Sequence, residues 1–288
     1  HNVAVGYQAL RLQDAGGNAY NVAVGSGAGK AISTGVANTI LGGLAGDALT
    51  TGGSNVAIGY NALTTEDAHG LNVAIGFEAL KTLNAGADAY NTAAGYQAGK
   101  SVTTGTFNTL IGGLAGDALA DADKNVAVGA LALSTDTLGD KSTAVGYGAL
   151  STQNFSSSVT DTENTAVGHA AGSVLTTGIK NTLVGAGAGD AFTDADFNVA
   201  VGTNALGNDQ KGNRNTAVGH GALATQQFSS SQDSGNTALG FGAGNAITDG
   251  VQNVFIGIDA GKSATTCNNV VAVSISAGGN ATLSGNNN

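Results

Sequence analysis

The five residues Asn21-Val22-Ala23-Val24-Gly25 recur with small changes along this chain of 288 residues. The first copy is Asn2-Val3-Ala4-Val5-Gly6 and the last clear copy is Asn253-Val254-Phe255-Ile256-Gly257. Most copies start 17 residues after the one before, as Asn38 follows Asn21, and a few start 19, 21 or 22 residues later. A period this short is typical of a solenoid.

The pattern inside one repeat predicts how each coil of the solenoid is built. We number the residues of a coil from its opening Asn, which is place one. Place five is Gly and place eight is Ala throughout, as at Gly25 and Ala28, while places two and four are mostly Val, Thr, Ile or Leu. Such alternation predicts a strand with places two and four on one face and Asn, Ala and Gly on the other. A second, shorter strand around place eight would complete a flattened two-layer β-roll.

The longer coils predict a superperiod of four coils. They begin at Asn2, Asn72, Ser142 and Asn215, so every fourth coil carries extra residues. Place nine follows the same rhythm: it is Leu in the first and fourth coils of a set and Gly in the second and third. Place twelve is usually polar beside Leu and apolar beside Gly, which predicts two ways of filling one internal space. The extra residues fall in the segments Asp14–Tyr20, Asn84–Tyr90, Phe155–Glu163 and Phe228–Gly235.

The predicted fold is therefore an all-β parallel β-solenoid with about 17 residues per coil. Residues 1–275 are expected to form one continuous β-roll, and 276–288 an Asn/Gly-rich terminal segment. The chain opens inside a repeat without Met, so we expect it to be a segment of a longer protein.

Composition excludes several classes of function. The chain has 10 Lys and Arg against 20 Asp and Glu, a net charge of -10, which disfavours nucleic acid as a partner. The single cysteine, Cys267, cannot form an intrachain disulfide. No apolar run reaches the roughly 18 residues of a membrane span. Neither a catalytic arrangement nor a cofactor motif can be argued from the repeat, so we expect no enzyme activity and no cofactor.

Two columns of the repeat have predicted structural roles. The place-one amides are expected to bond along the stack of coils, as amide ladders do in stacked strands. Places two and four need a cover, because both faces of the strand are apolar and a parallel sheet is normally buried on both sides. Other copies of the chain supply that cover most simply, which predicts a parallel homotrimer. The Asn column comprises Asn21, Asn38, Asn55, Asn72, Asn91, Asn108 and Asn125, and the trimer-face candidates are Val24, Ile58, Ile75, Val128, Val145 and Val201.

At this point the repeat resembles a known group of proteins. Asn164-Thr165-Ala166-Val167-Gly168 is similar to the head repeats of trimeric autotransporter adhesins of the YadA type. The longer phrase from Asn91 to Gly99 resembles repeats of bacteriophage and cyanophage tail fibres. The resemblance implies a left-handed parallel β-roll in a parallel homotrimer, and it covers residues 2 to about 275.

Aromatic and acidic residues are the candidates for contacts with ligands. Tyr60, Phe77 and Tyr96 share place six in three consecutive coils and should stack as a ladder, which would serve either for packing or for glycan stacking. The long loops are alternative contact sites, with Phe155 and Phe228 as their aromatic candidates. The loop pairs Asp121/Asp123 and Asp194/Asp196 are either solvated turn residues or calcium ligands. We assign no metal ligand among these acids.

These features predict a non-enzymatic shaft or head of a trimeric surface fibre, exposed on a virion or outside the cell. A phage tail fibre is the first reading and a bacterial adhesin or extracellular filament is the alternative. Its partners would be its own copies and a cell-surface glycan or matrix. An ice-binding solenoid is a third reading, but it would need a flat Thr ladder, and place two mixes Val22 with Thr39 and Val56.

Overall fold

The computed structural model describes residues 1–278 of the chain, which fall into two compact units. The first unit contains residues 1–141 and 155–160, and the second contains 142–154 and the chain from 161 onward. Each unit is a parallel β-solenoid, and residues 1–278 contain no helix. The predicted all-β solenoid with about 17 residues per turn is therefore confirmed. Residues 279–288 of the predicted terminal segment lie outside the described part.

Each coil contributes one strand of three residues to a parallel ladder. The strands of the first unit are β1 (Val3–Val5), β2 (Val22–Val24), β3 (Thr39–Leu41), β4 (Val56–Ile58), β5 (Val73–Ile75), β6 (Thr92–Ala94), β7 (Thr109–Ile111) and β8 (Val126–Val128). Those of the second unit are β10 (Thr143–Val145), β12 (Thr165–Val167), β13 (Thr182–Val184), β14 (Val199–Val201), β16 (Thr216–Val218), β18 (Thr237–Leu239), β19 (Val254–Ile256) and β20 (Val271–Val273). Four strands of two residues complete the set: β9 (Gly139–Asp140), β11 (Thr160–Asp161), β15 (Gly212–Asn213) and β17 (Gln232–Asp233).

The strands pair place for place, which stacks equivalent residues in columns. Val3 lies opposite Val22, and Val22 lies opposite Thr39, so a coil of 19 residues and one of 17 keep the same register. The extra residues of the longer coil must therefore leave the stack in a loop. Place three points inward in every ladder strand from β2 to β19, where its side chain is fully buried.

The opposite limb of the coil differs from our prediction, because places six to ten form turns and not a second strand. Places seven and nine have positive φ even where the residue is Leu, as at Leu63 (53°) and Leu80 (46°). A left-handed residue between right-handed neighbours interrupts any extended conformation. Backbone hydrogen bonds still join this limb from coil to coil: the Gly46 N–H donates to the Ala62 carbonyl at 2.9 Å, and the Leu63 N–H donates to that of Ala79 at 3.0 Å.

Large residues at place three are accommodated by the glycines at place nine. A Cβ atom added to Gly99 or to Gly116 would lie 2.7 Å from a methyl carbon of Leu110. The Leu110 side chain therefore occupies the space that side chains at place nine would need in its own coil and in the coil before. The same arrangement is found around Ile40, Leu183 and Phe255.

Candidate functional site

The side chains at places two and four of the ladder strands, which we call the outer strand face, are partly exposed. Ile75 is 40% exposed and Ile111 is 42% exposed, although both are large and apolar. Of the six trimer-face candidates, Ile75 is the most exposed to solvent. The side chains of the other five are half-buried: Val24, Ile58, Val128, Val145 and Val201. Each unit thus carries an apolar stripe on its surface beside a fully buried column at place three.

The aromatic ladder at place six forms as the spacing predicted. The ring centroids of Tyr60 and Phe77 lie 5.7 Å apart with planes inclined by 21°, and those of Phe77 and Tyr96 lie 5.5 Å apart with planes inclined by 10°. All three rings are about half exposed, so one edge of the stack is open to solvent. The predicted stacking is confirmed, and the glycan contact remains a prediction.

A charged cluster adjoins this ladder, because Glu78 and Gln97 directly follow Phe77 and Tyr96. The Glu78 carboxylate accepts hydrogen bonds from Lys81 Nζ at 2.6 Å and Gln97 Nε2 at 2.8 Å, and it lies 3.2 Å from Lys100 Nζ. The hydrogen bond from Lys81 is the main reason that the pKa of Glu78 falls to about 2, and those from Gln97 and Lys100 add to it. The open edge of the aromatic ladder therefore lies beside a cluster of paired polar side chains.

Further ring pairs were missed by the sequence reasoning. At the last place of their coils, just before the opening Asn of the next coil, Tyr90 and Phe107 stack with centroids 5.3 Å apart and planes inclined by 5°. The two histidines at place six also stack: His169 lies 5.5 Å from the Tyr147 ring and His220 lies 5.1 Å from that of Phe241. A search for rings spaced by one coil length at any place, as Tyr90 and Phe107 are, would have found the first pair.

The Asn column is fully buried and bonds both along the stack and within each coil. Asn108 Oδ1 accepts from the backbone N–H of Asn125 in the next coil at 2.9 Å. Its Nδ2 donates to the Ala122 carbonyl at place fifteen of its own coil at 2.7 Å, which closes the coil. Asn72 differs, since its Nδ2 donates to the Gly70 carbonyl at 3.0 Å. The bond between coils recurs at Asn21, Asn38, Asn55, Asn72 and Asn91 with distances of 2.8 to 3.1 Å.

Three buried acids at place twelve hold the start of the long loops, a role that the sequence reasoning did not assign. Glu66, Asp136 and Asp209 are each fully buried. Asp136 Oδ1 accepts from the Phe155 N–H at 3.0 Å, and Asp209 Oδ1 accepts from the Phe228 N–H at 3.1 Å. All three acids occur in the coil before a long loop, and that position could have revealed the pairing.

Burial also affects acids at place ten. It raises the pKa of Asp47, Asp117 and Asp190, which occupy this place in the third coil of successive sets. Asp190 lines a polar groove of about 320 Å³ with Asn204, Gly207, Asn208 and Ala224. Place ten is Gly207 and Ala224 in the next two coils, so the groove occupies space that larger side chains would fill.

The acid pairs that were considered for calcium make hydrogen bonds to the preceding coil. Asp123 Oδ1 accepts from the Thr106 N–H at 2.7 Å, and Asp196 Oδ1 accepts from the Ile179 N–H at 2.8 Å. Asp194 forms an ion pair with Lys211 at 3.3 Å. These contacts agree with the turn-residue reading. Within the described chain, the three residues whose potential ligand atoms lie within 4.8 Å of one another are Glu66, Asp67 and His69.

The two loop phenylalanines differ in burial. Phe155 is half-buried, whereas Phe228 is only 8% exposed and packs beside Asp209 and Gly212. The burial of Phe228 favours a packing role over contact with a ligand. The exposed candidates that remain are those of the ladder.

Comparisons with models of protein families, with curated proteins and with solved structures found no match to this chain. Over residues 1–278, no helix has the length and apolar character needed to cross a membrane. The function must therefore be argued from the surface of the solenoid itself.

Proposed function

We propose that this chain is a non-enzymatic structural and adhesive segment of a trimeric surface fibre. Three parallel copies would cover one another's outer strand faces. The observation that carries the proposal is the exposure of large apolar residues such as Leu41, Ile75 and Leu239 along a regular, otherwise filled solenoid. Burying apolar surface contributes about 25 cal/mol per Å², and no other element within residues 1–278 covers this stripe.

The place of such a segment is a virion surface or the outside of a cell. Its resemblance to phage tail-fibre repeats favours a tail fibre, in which a rigid shaft projects a binding tip. A bacterial adhesin of the trimeric autotransporter type would use the same stack and the same face. Sequences flanking this segment in its parent protein would separate the two settings.

The adhesive part of the proposal rests on the ladder of Tyr60, Phe77 and Tyr96. The open edge of the ring stack offers an apolar strip to a sugar, and the neighbouring, partly exposed Gln97 can bind hydroxyl groups. Three chains would present three copies of this surface, so weak single contacts would combine into stronger attachment.

The mass of the particle in solution tests the assembly. Light scattering coupled to size exclusion should give three times the chain mass of 27.8 kDa. Val128→Asp should abolish the trimer, because a charge would be buried between chains. Thr34→Asp, on an exposed turn away from the outer strand face, should leave the mass unchanged. A monodisperse monomer for the unaltered chain would refute the proposal.

A further inference from the structure

Place fifteen is a crowded position in which one coil holds an exceptional residue. A Cβ atom added to Gly105 would lie 2.4 Å from the Ala122 carbonyl oxygen of the next coil. In the 17-residue coils this place is Gly, Ala or Cys, except in the coil that begins at Asn55, where it is His69. An imidazole here is not needed for packing, so its surroundings are informative.

Glu66, which lies next to His69, lacks the side-chain hydrogen-bond donor that the equivalent acid Asp209 has. Asp209 receives a hydrogen bond from the side chain of Gln226, at place twelve of the following coil, at 2.5 Å. The residue that follows Glu66 at this place is Leu83, which cannot donate. Glu66 is nevertheless fully buried, and it accepts from the N–H groups of His69 at 3.1 Å and Ala85 at 3.3 Å.

The side chains of this coil bring three potential metal ligands together. His69 Nδ1 lies 3.4 Å from Glu66 Oε1, and this nitrogen is buried without a hydrogen-bond partner. Asp67, which is exposed, offers a carboxylate oxygen within 4.8 Å of a potential ligand atom of each of the other two residues. Two ligand atoms bound about 2.1 Å from one tetrahedral ion are themselves about 3.4 Å apart. The spacing between His69 and Glu66 therefore suits a shared ion.

We propose that Glu66, Asp67 and His69 bind one divalent transition-metal ion of the zinc class. One imidazole nitrogen with two carboxylates matches the ligands of Zn²⁺, whereas Ca²⁺ prefers six to eight oxygen atoms. The ion would offset the charge of the buried Glu66 carboxylate, to which the N–H groups of His69 and Ala85 also donate. Because Glu66 also holds the Ala85 N–H, the ion would fix the start of the loop Asn84–Tyr90.

Calorimetric titration of the full chain with ZnCl₂ tests this site. All proteins carry His1→Ser, so that the N-terminal histidine does not bind the ion. We expect one Zn²⁺ per chain, with weaker binding at lower pH because the imidazole must be deprotonated. His69→Gly restores the residue found at this place in most coils, so it should fold. Loss of an outer-shell partner costs about 10- to 100-fold in metal affinity, and loss of His69 as a ligand should cost at least as much.

Two further variants and a second ion make the result specific. Asp67→Asn should weaken zinc binding by about tenfold or more, since it removes a charged ligand. His220→Gln, which removes a distant stacked histidine, should bind as the parent does. No zinc binding, equal binding by the His69→Gly chain, or tighter binding of CaCl₂ than of ZnCl₂ would each overturn the proposal.

Discussion

Two independent constraints, one on the backbone conformation and one on the space available, require glycine at place five. Gly112 has φ of 132°, a conformation that residues with a side chain rarely adopt. A Cβ atom there would lie 2.6 Å from the carbonyl group of Gly129 in the next coil. Because each coil sits directly on the next, the same contact recurs along the stack and explains why place five is Gly in every copy from Asn2 to Asn253.

Substitution of this glycine should therefore destabilise the chain strongly. We expect Gly112→Ala to lower the free energy of unfolding by about 2 kcal/mol or more, through strained backbone and overpacking. The neighbouring Gly113→Ala is the matched control, because its Cβ would meet nothing within 4 Å. Urea denaturation followed by circular dichroism measures both. Equal midpoints for the two variants would contradict the steric explanation.

Buried acids such as Asp209 make the pH dependence of stability unusual. Burial raises the pKa of Asp209 above its ordinary value of 3.8, against the lowering effect of hydrogen bonds from Gln226 and from backbone N–H groups. Between the unfolded and the raised folded pKa, the folded state binds more protons than the unfolded state. The contribution of Asp209 to stability should therefore increase as pH falls through this window, and stay constant below 3.8.

We expect Asp209→Asn to remove that increase. Urea midpoints measured from pH 7 toward pH 4 should rise more for the parent chain than for the variant. Asp14→Asn, on an exposed residue of the first long loop, should keep the pH response of the parent. A parent chain whose midpoint falls more steeply than that of Asp209→Asn over this range would contradict the sign of the effect.

At the scale of the element, the strand was predictable and the turn limb was not. Alternation at places two to four identified each strand, and the spacing of Asn21 and Asn38 gave its register. The second limb has left-handed residues such as Leu63 and Leu80, and leucine is not a turn-forming type. Backbone hydrogen bonds between neighbouring coils compensate for this strain. The sequence of one coil does not reveal these bonds, because their partners lie in another coil. The acids at place twelve were missed for the same reason, since their partners lie in the next coil.

The ladder at place six yields a prediction for binding. On an array of cell-surface oligosaccharides, the full chain should retain sugars that the double variant Tyr60→Ala, Tyr96→Ala does not. Removal of both outer rings leaves Phe77 without a stacking partner and shortens the apolar strip offered to a sugar. Tyr7→Ala, which removes an exposed ring of the first coil, should bind as the parent does. Equal binding by the double variant, or no binding by the parent, would contradict the glycan role.

At the scale of the whole molecule, the stack of coils makes stability nearly a sum of contacts between neighbours. The sequence predicted this arrangement because register follows from the period alone. Assembly and ligand binding do not follow from the period, since they depend on surface side chains such as those of the outer strand face. The predicted superperiod of four coils states which type of coil must follow which.

Deletion of whole coils tests that order. Removing residues 55–124 deletes four coils and places a fourth coil, beginning at Asn125, after the third coil that begins at Asn38. The coil beginning at Asn125 should then keep its register with the coil beginning at Asn38. Its residues at places nine and twelve should also fit that coil, so the shortened chain should fold. Removing only residues 55–71 deletes Glu66, which leaves the partly buried N–H of Ala85 without its acceptor at a cost of about 1 kcal/mol.

The smaller deletion should therefore be more harmful for each coil that is removed. Thermal unfolding followed by circular dichroism should show a fall in midpoint for the chain that lacks one coil that exceeds one quarter of the fall for the chain that lacks four. A model with equivalent coils predicts a fall in proportion to the number of coils removed, because each lost coil removes one stabilising interface between neighbours. A fall of one quarter or less for the smaller deletion would contradict the predicted order of the coils.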